Sequence, residues 1–87
     1  MTDELSFLHR YIRVKDDYGF IDIIAMKSYV AGTWHLTSNN WGGETVIVKR
    51  SGATLRWSVV SNHNIEGEFR SLKQAATAAS ESLRSKL

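Results

Sequence analysis

Hydrophobic and polar positions alternate most clearly in the second half of the chain. From Glu44 to Arg50, Val46 and Val48 alternate with Thr45, Ile47 and Lys49; from Ala53 to Val60, Leu55, Trp57 and Val59 alternate with Thr54, Arg56 and Ser58. A period of two is the signature of a strand with one face turned inward. Ser51-Gly52 between the two runs is a two-residue loop of the kind that closes hairpins. That loop sets a register in which Val48 faces Leu55 and Val46 faces Trp57. All four then share one face with Val59, and Thr45, Ile47, Lys49, Thr54, Arg56 and Ser58 take the other. One apolar and one mixed basic face is the pattern of a half-buried antiparallel sheet.

A third extended piece, Gly67-Glu68-Phe69-Arg70, leads into a helix. Ser71 is its N-cap and Gln74, three residues on, completes a capping box. Leu72, Ala75, Ala76, Ala79, Leu83 and Leu87 fall on one stripe at helical spacing. Small alanines let a helix lie close to a sheet, with Trp57 and Trp34 filling the remaining space. Lys73, Glu81, Arg84 and Ser85 turn towards water, and Arg84 and Lys86 place cations in the last turn, where the helix dipole favours them.

The first half is less regular. Residues 2–10 read as a short helix capped by Thr2, with Asp3 and Glu4 in its first turn and Leu5, Leu8 and Ile12 on one stripe. The alternation Leu5, Phe7, His9 is a competing strand pattern. Tyr11 to Lys15 reads as a strand, Asp16-Asp17-Tyr18-Gly19 as a turn, Phe20 to Met26 as a strand interrupted by Asp22, and Tyr29 to Thr37 as another. Ser38 to Gly43 is the longest loop. The pattern predicts an α+β fold: an antiparallel β-sheet of four to six strands with the C-terminal α-helix packed on one face, and a short helix at the N-terminus.

Eighty-seven residues without linker, repeat or low-complexity tract predict a single domain over 1–87. There is no cysteine, which removes disulfide and thiolate chemistry and points to a reducing compartment. No apolar run approaches the ~20 residues that cross a bilayer. The acidic start, Met1-Thr2-Asp3-Glu4, lacks the order of a signal peptide. A complete, soluble, cytoplasmic domain without membrane contact is the expectation. Net charge is +2, unevenly spread: residues 1–43 carry four basic and five acidic groups, residues 44–87 seven and four. This bias favours an anionic partner and excludes dense acidic mimicry of DNA.

The chemistry-bearing residues are scattered. His9, His35 and His63 lie far apart, with no spacing that suggests a zinc site. Serine is plentiful, but no Gly-x-Ser-x-Gly elbow is present. Asp16-Asp17 reads as a turn and Glu66/Glu68 as edge-strand charge rather than an acid–base pair. Gly42-Gly43 leads into a strand, not the helix that a phosphate cradle needs. The expectation is therefore a protein that is not an enzyme, with no metal and no cofactor. Trp41, between Asn40 and Gly42 in a loop, has the character of an interface hot spot or a base-stacking ring. Tyr29 and Trp34 are further anchor candidates. Lys49, Arg50 and Arg56 form the best basic patch, with Lys49 and Arg56 on one outward face, and Arg70 and Lys73 add charge where strand meets helix.

The run Gly67-Glu68-Phe69-Arg70-Ser71-Leu72-Lys73-Gln74-Ala75-Ala76, after a strand bearing Trp57, resembles the last strand and helix of AP2-like domains and of related integrase arm-binding modules. The resemblance covers residues 44–87. It implies a three-stranded sheet laid in the DNA major groove, with Lys49, Arg56 and Arg70 at the DNA-facing positions. The chain departs from the pattern in lacking a basic-glycine opening to its first strand. Its compact, cysteine-free make-up also resembles small phage-encoded accessory proteins. That resemblance implies an inhibitor or adaptor in the host cytoplasm, binding a host protein or nucleoprotein complex of nucleic-acid metabolism or defence. Of the two readings, the modest charge and the mixed Ile47–Arg56 face favour the protein partner; DNA or RNA bound on a basic sheet face is the alternative.

Overall fold

The computed structural model describes residues 9–16, 19–61, 63 and 65–84. Five strands follow in chain order: β1 (His9–Asp16), β2 (Gly19–Lys27), β3 (Thr33–Thr37), β4 (Thr45–Arg50) and β5 (Trp57–Val59). A short 3-10 turn (Asn39–Trp41) separates β3 from β4, and one helix, α1 (Leu72–Arg84), follows the sheet. The strands form one sheet in the order β1-β2-β3-β4-β5, every neighbouring pair antiparallel. The predicted α+β architecture is the one observed.

Alternation decides which face is buried. Ile12 and Val14 lie opposite Ile23 and Ile21, Ala25 opposite Leu36, Leu36 opposite Val46, Trp34 opposite Val48, and Val48 opposite Val59. These residues line one face, and α1 covers it with Leu72, Ala75, Ala76, Ala79 and Leu83, all buried. The alanines allow close approach, as their size predicts. Leu87 and residues 2–8 of the helix expected over 2–10 lie outside the described residues, and at its end the helix expectation is corrected. His9 and Arg10 belong to β1, because Met26 and Ala25 pair with them.

The helix starts where its sequence signal places it. Ser71 Oγ accepts from the Gln74 N–H at 3.1 Å, and Gln74 Oε1 accepts from the Arg70 N–H at 3.0 Å. The return bond reaches one residue further back than in the usual capping box. Ser71→Ala is expected to cost about 1 kcal/mol in a urea melt; an unchanged midpoint would show the cap to be dispensable.

Two further sequence expectations are corrected. Tyr29 is not in a strand: β3 begins at Thr33, and Ser28 to Gly32 form a turn. Ser28 N–H donates to Thr33 C=O at 2.9 Å, and Val30 N–H donates to Ser28 Oγ. Gly32 takes φ +72°, and a Cβ there would sit 3.0 Å from Arg50 O, so the position demands glycine twice over.

The β4–β5 register is also displaced. Val48 pairs with Val59 and Arg50 with Trp57, so Ser51 to Arg56 form a six-residue connection in place of a two-residue loop. Gly52 does not take positive φ; Leu55 does, at 58°, and it is exposed. Ser51 accounts for the difference. Its Oγ accepts from the Ala53 and Thr54 N–H groups, and its C=O accepts from Leu55 N–H at 2.9 Å. A local side-chain bond thus winds the chain through an extra turn. Arg56 leaves the strand and no longer shares a ladder face with Lys49.

Candidate binding surface

Among the described residues no helix covers the second face of the sheet. Tyr11, Arg13 and Lys15 point outward from β1; Phe20, Asp22, Ile24 and Met26 from β2; His35 and Thr37 from β3; Thr45, Ile47 and Lys49 from β4. The register sets them in rows: Tyr11–Ile24–Thr37–Thr45 is one, and Met26–His35–Ile47 the next. Tyr11 is 81% exposed and Phe20 68%. Ile24, His35 and Ile47 are half-buried beside their neighbours. The apolar groups of the face thus come from β1, β2 and β4, with His35 and Thr37 of the central strand between Ile24 and Met26 on one side and Ile47 on the other.

Charged groups edge it. Arg13 Nε donates to Asp22 Oδ1 at 2.9 Å across the β1–β2 pair. Lys15 Nζ lies 5.9 Å from the centre of the Phe20 ring, and Lys49 is exposed beyond Ile47. A groove of about 510 Å³ opens on this face, with Tyr11 and Asp22 on one side, Ile24 and Thr37 along it, and Ser38 and Glu44 on the other. Ser38 Oγ donates to the Asp22 C=O at 2.9 Å and so fixes that wall to β2.

The hydrogen bond from Arg13 lowers the pKa of the Asp22 carboxyl, and the same bond raises that of Arg13. A depressed carboxyl stabilises the fold above its unfolded pKa and loses that contribution as pH falls through the folded value. In a carboxyl NMR titration Asp22 is expected to protonate at lower pH in the wild type than in Arg13→Ala. Equal midpoints would break the assignment.

The predicted site residues separate into three places. Trp41 is not on the surface: the 3-10 turn folds it inward to 0% exposure, under α1 and beside β2. Its ring is therefore a core residue and not an exposed anchor. Trp34 faces the helix side, half-buried, with the Arg10 guanidinium 5.8 Å above its ring. Tyr29 stands fully exposed at the tip of the β2–β3 turn. That turn touches the end of β4, since Arg50 N–H donates to Gly32 C=O at 2.8 Å. A hollow of about 340 Å³ there is lined by Gly32, Lys49, Arg50 and Leu55. Lys49 and Arg50 thus lie beside the turn that carries Tyr29, while Arg56 is half-buried in the neighbouring connection. Arg70 and Lys73 lie elsewhere, at the start of α1, in a cleft shared with Arg10 and Arg13. The single basic patch read from the sequence is two patches in the fold.

One polar constellation escaped the sequence reading. His63 Nδ1 lies 2.7 Å from Ser61 Oγ, and its Nε2 lies 3.2 Å from Glu44 Oε2. Ser61 Oγ also accepts the Ile47 N–H at 3.0 Å. With Nε2 protonated, the hydrogens run from Ser61 to His63 to Glu44. The order is that of a serine relay, but its effect is to latch the segment after β5 onto β4. Glu44 is 17 residues before Ser61, so no local spacing reveals it. Ser61→Ala leaves the part-buried Ile47 N–H without its acceptor and is expected to cost about 1–3 kcal/mol. A melt shifted by less than half of 1 kcal/mol would remove the latch. Among the described residues no group of three or more His, Cys, Asp or Glu is placed to hold a metal ion, and no helix is long and apolar enough to cross a membrane.

No protein-family model, no curated protein and no solved structure matches the chain. The AP2-like resemblance stands on its quoted residues alone. The Lys49, Arg56 and Arg70 positions it implies fall on the sheet face, in a connection and at the helix start, not on one surface.

Proposed function

We propose that the chain is a small non-enzymatic binding protein, an inhibitor or adaptor that docks a protein partner through the uncovered face of its sheet. The observation that carries this reading is the composition of that face. Tyr11, Ile24, Met26 and Ile47 give the face its apolar groups beside His35 and Thr37, the Arg13–Asp22 pair and then Phe20 and Lys15 follow on one side, and Lys49 lies on the other. A contiguous apolar patch rimmed by charge is the anatomy of a protein interface. Lys15 and Lys49, the cations not paired with Asp22, favour a partner surface that is acidic where it meets them.

Single-stranded nucleic acid is the second reading. Tyr11 and Phe20 rings beside Lys15 and Lys49 would suit stacked bases and phosphates. The aliphatic row offers no stacking surface, however, and Arg13 is already engaged by Asp22. Those two facts favour protein.

The test uses captured proteins from nuclease-treated extract, each then purified and rebound to the intact chain. Phe20→Glu and Ile47→Lys are expected to abolish rebinding with the melting curve kept. Amide exchange should slow in β2 and β4 when the partner is bound. Binding to a (dT)₂₀ oligonucleotide with a steep salt slope, lost in Lys15→Ala and Lys49→Ala, would overturn the protein reading.

A further inference from the structure

The first strand has an outer edge with its own chemistry. Four consecutive residues, Arg10 to Arg13, line one cleft together with Trp57 and with Arg70 to Lys73. Side chains on a strand alternate between faces. Four in succession line one cleft only where the backbone edge opens onto it. β1 is the terminal strand, and its other edge pairs with β2 along all eight residues. The opposite margin of the sheet is closed differently. There β5 is three residues long, and Trp57 exchanges both backbone hydrogen bonds with Phe69, at 2.7 and 2.8 Å. Among the described residues no strand pairs with the outer edge of β1 over Arg10 to Arg13, and these four cleft residues span about 13 Å of it.

The cleft measures about 500 Å³. Its described lining holds Arg10, Arg13, Arg70 and Lys73 and no carboxylate, with Trp57 as an apolar wall. Arg13 is engaged by Asp22. Among the described residues Arg10, Arg70 and Lys73 have no ion pair. The helix end is not itself the attraction, because Ser71 and Gln74 already cap it.

We propose that this cleft takes an extended acidic peptide segment, added as a strand along the outer edge of β1 at Arg10 to Arg13. The main chain of the segment pairs with β1, and its carboxylates meet Arg10, Arg70 and Lys73. Main-chain pairing supplies affinity and the side-chain contacts supply selectivity, as in other strand additions. A nucleic acid could use the cations but has no run of alternating donors and acceptors to satisfy a strand edge, so the peptide is favoured. The cleft shares Tyr11 and Arg13 with the uncovered face at the margin of β1, but it does not depend on that face being an interface.

The test titrates the intact chain with a labelled, end-blocked hexapeptide of alternating Glu and Val. Binding is expected, at least about tenfold tighter than for the Lys/Val counterpart. Arg70→Ala with Lys73→Ala should weaken it about tenfold, while Phe20→Glu leaves it unchanged. N-methylating alternate peptide nitrogens should abolish binding in one of the two registers, because it removes the main-chain donors. No binding at millimolar peptide would overturn the proposal, as would equal affinity for the Lys/Val peptide or indifference to N-methylation in both registers. Displacement of the peptide by (dT)₂₀ at lower concentration would assign the cleft to nucleic acid instead. Both cations are exposed, so the double variant is expected to fold, and its melting curve checks this.

Discussion

Replacing Trp41 with alanine is expected to destabilise the protein by about 3–5 kcal/mol, the range for emptying a buried tryptophan site. The ring is 0% exposed and is the largest fully buried side chain. Its segment is held around it. Ser38 Oγ accepts from Asn40 N–H at 3.2 Å, and Gly42 closes the turn in the left-handed conformation at φ 61°. The fixed loop cannot readily collapse into the void. Trp41→Phe provides the control, because the buried indole Nε1 has no hydrogen-bond partner among the described residues. Phenylalanine removes that orphaned donor while keeping much of the ring, so it should lose clearly less than alanine. Denaturant melts of both variants decide the matter. A loss under about 1 kcal/mol for alanine would take the ring out of the core and return Trp41 to the list of surface anchors.

The contrast between Trp41 and α1 shows what a linear pattern conveys. The helix carries its instructions locally: Ser71 and Gln74 mark its start, and the Leu72–Ala76–Ala79–Leu83 stripe marks its buried face. Both signals concern residues within four positions of each other. Trp41 sits among polar and glycine neighbours, and no periodicity says to which side a loop will fold. Ser38 and Gly42 were the available clue, a cap and a left-handed stop around a short turn.

The β4–β5 hairpin is instructive in another way. Its register was displaced by four residues, yet the inward face was right for Val46, Val48, Trp57 and Val59 and wrong for Leu55, which is exposed. An even displacement preserves which side chains point inward, so Val46, Val48, Trp57 and Val59 stayed on the buried face. What changed were the residues given up to the connection: Leu55 lost its cross-strand partner and Arg56 left the basic face. The pairing of Arg13 with Asp22 was, by contrast, within reach of the sequence. Asp16 opposite Gly19 fixes that register, and the outward alternation of Tyr11, Arg13 and Lys15 follows from it. The outer edge of β1 required the strand order, and the cleft beside it required the position of the helix start. Neither follows from spacing along the chain.

Trp57→Ala is expected to cost about 3–5 kcal/mol as well, through the loss of its buried ring. The side chain is 9% exposed beneath the start of α1, so its removal opens a cavity between helix and sheet. Its backbone also holds Phe69 by two hydrogen bonds, and the segment so held runs directly into the Ser71 cap. Alanine keeps those backbone bonds, but the first turn of α1 loses the ring beneath it and should fray. Amide exchange in Leu72 to Ala76 is therefore expected to accelerate by more than the global destabilisation predicts. Phe20→Ser is the matched control. That ring is as apolar but 68% exposed on the uncovered face, and its loss should move the melt by no more than about 0.5 kcal/mol. A Trp57 variant that melts like the Phe20 variant would mean that the helix does not rest on this ring. A Phe20 variant as unstable as the Trp57 one would mean that the second sheet face serves the fold, and the proposed interface there would be lost with it.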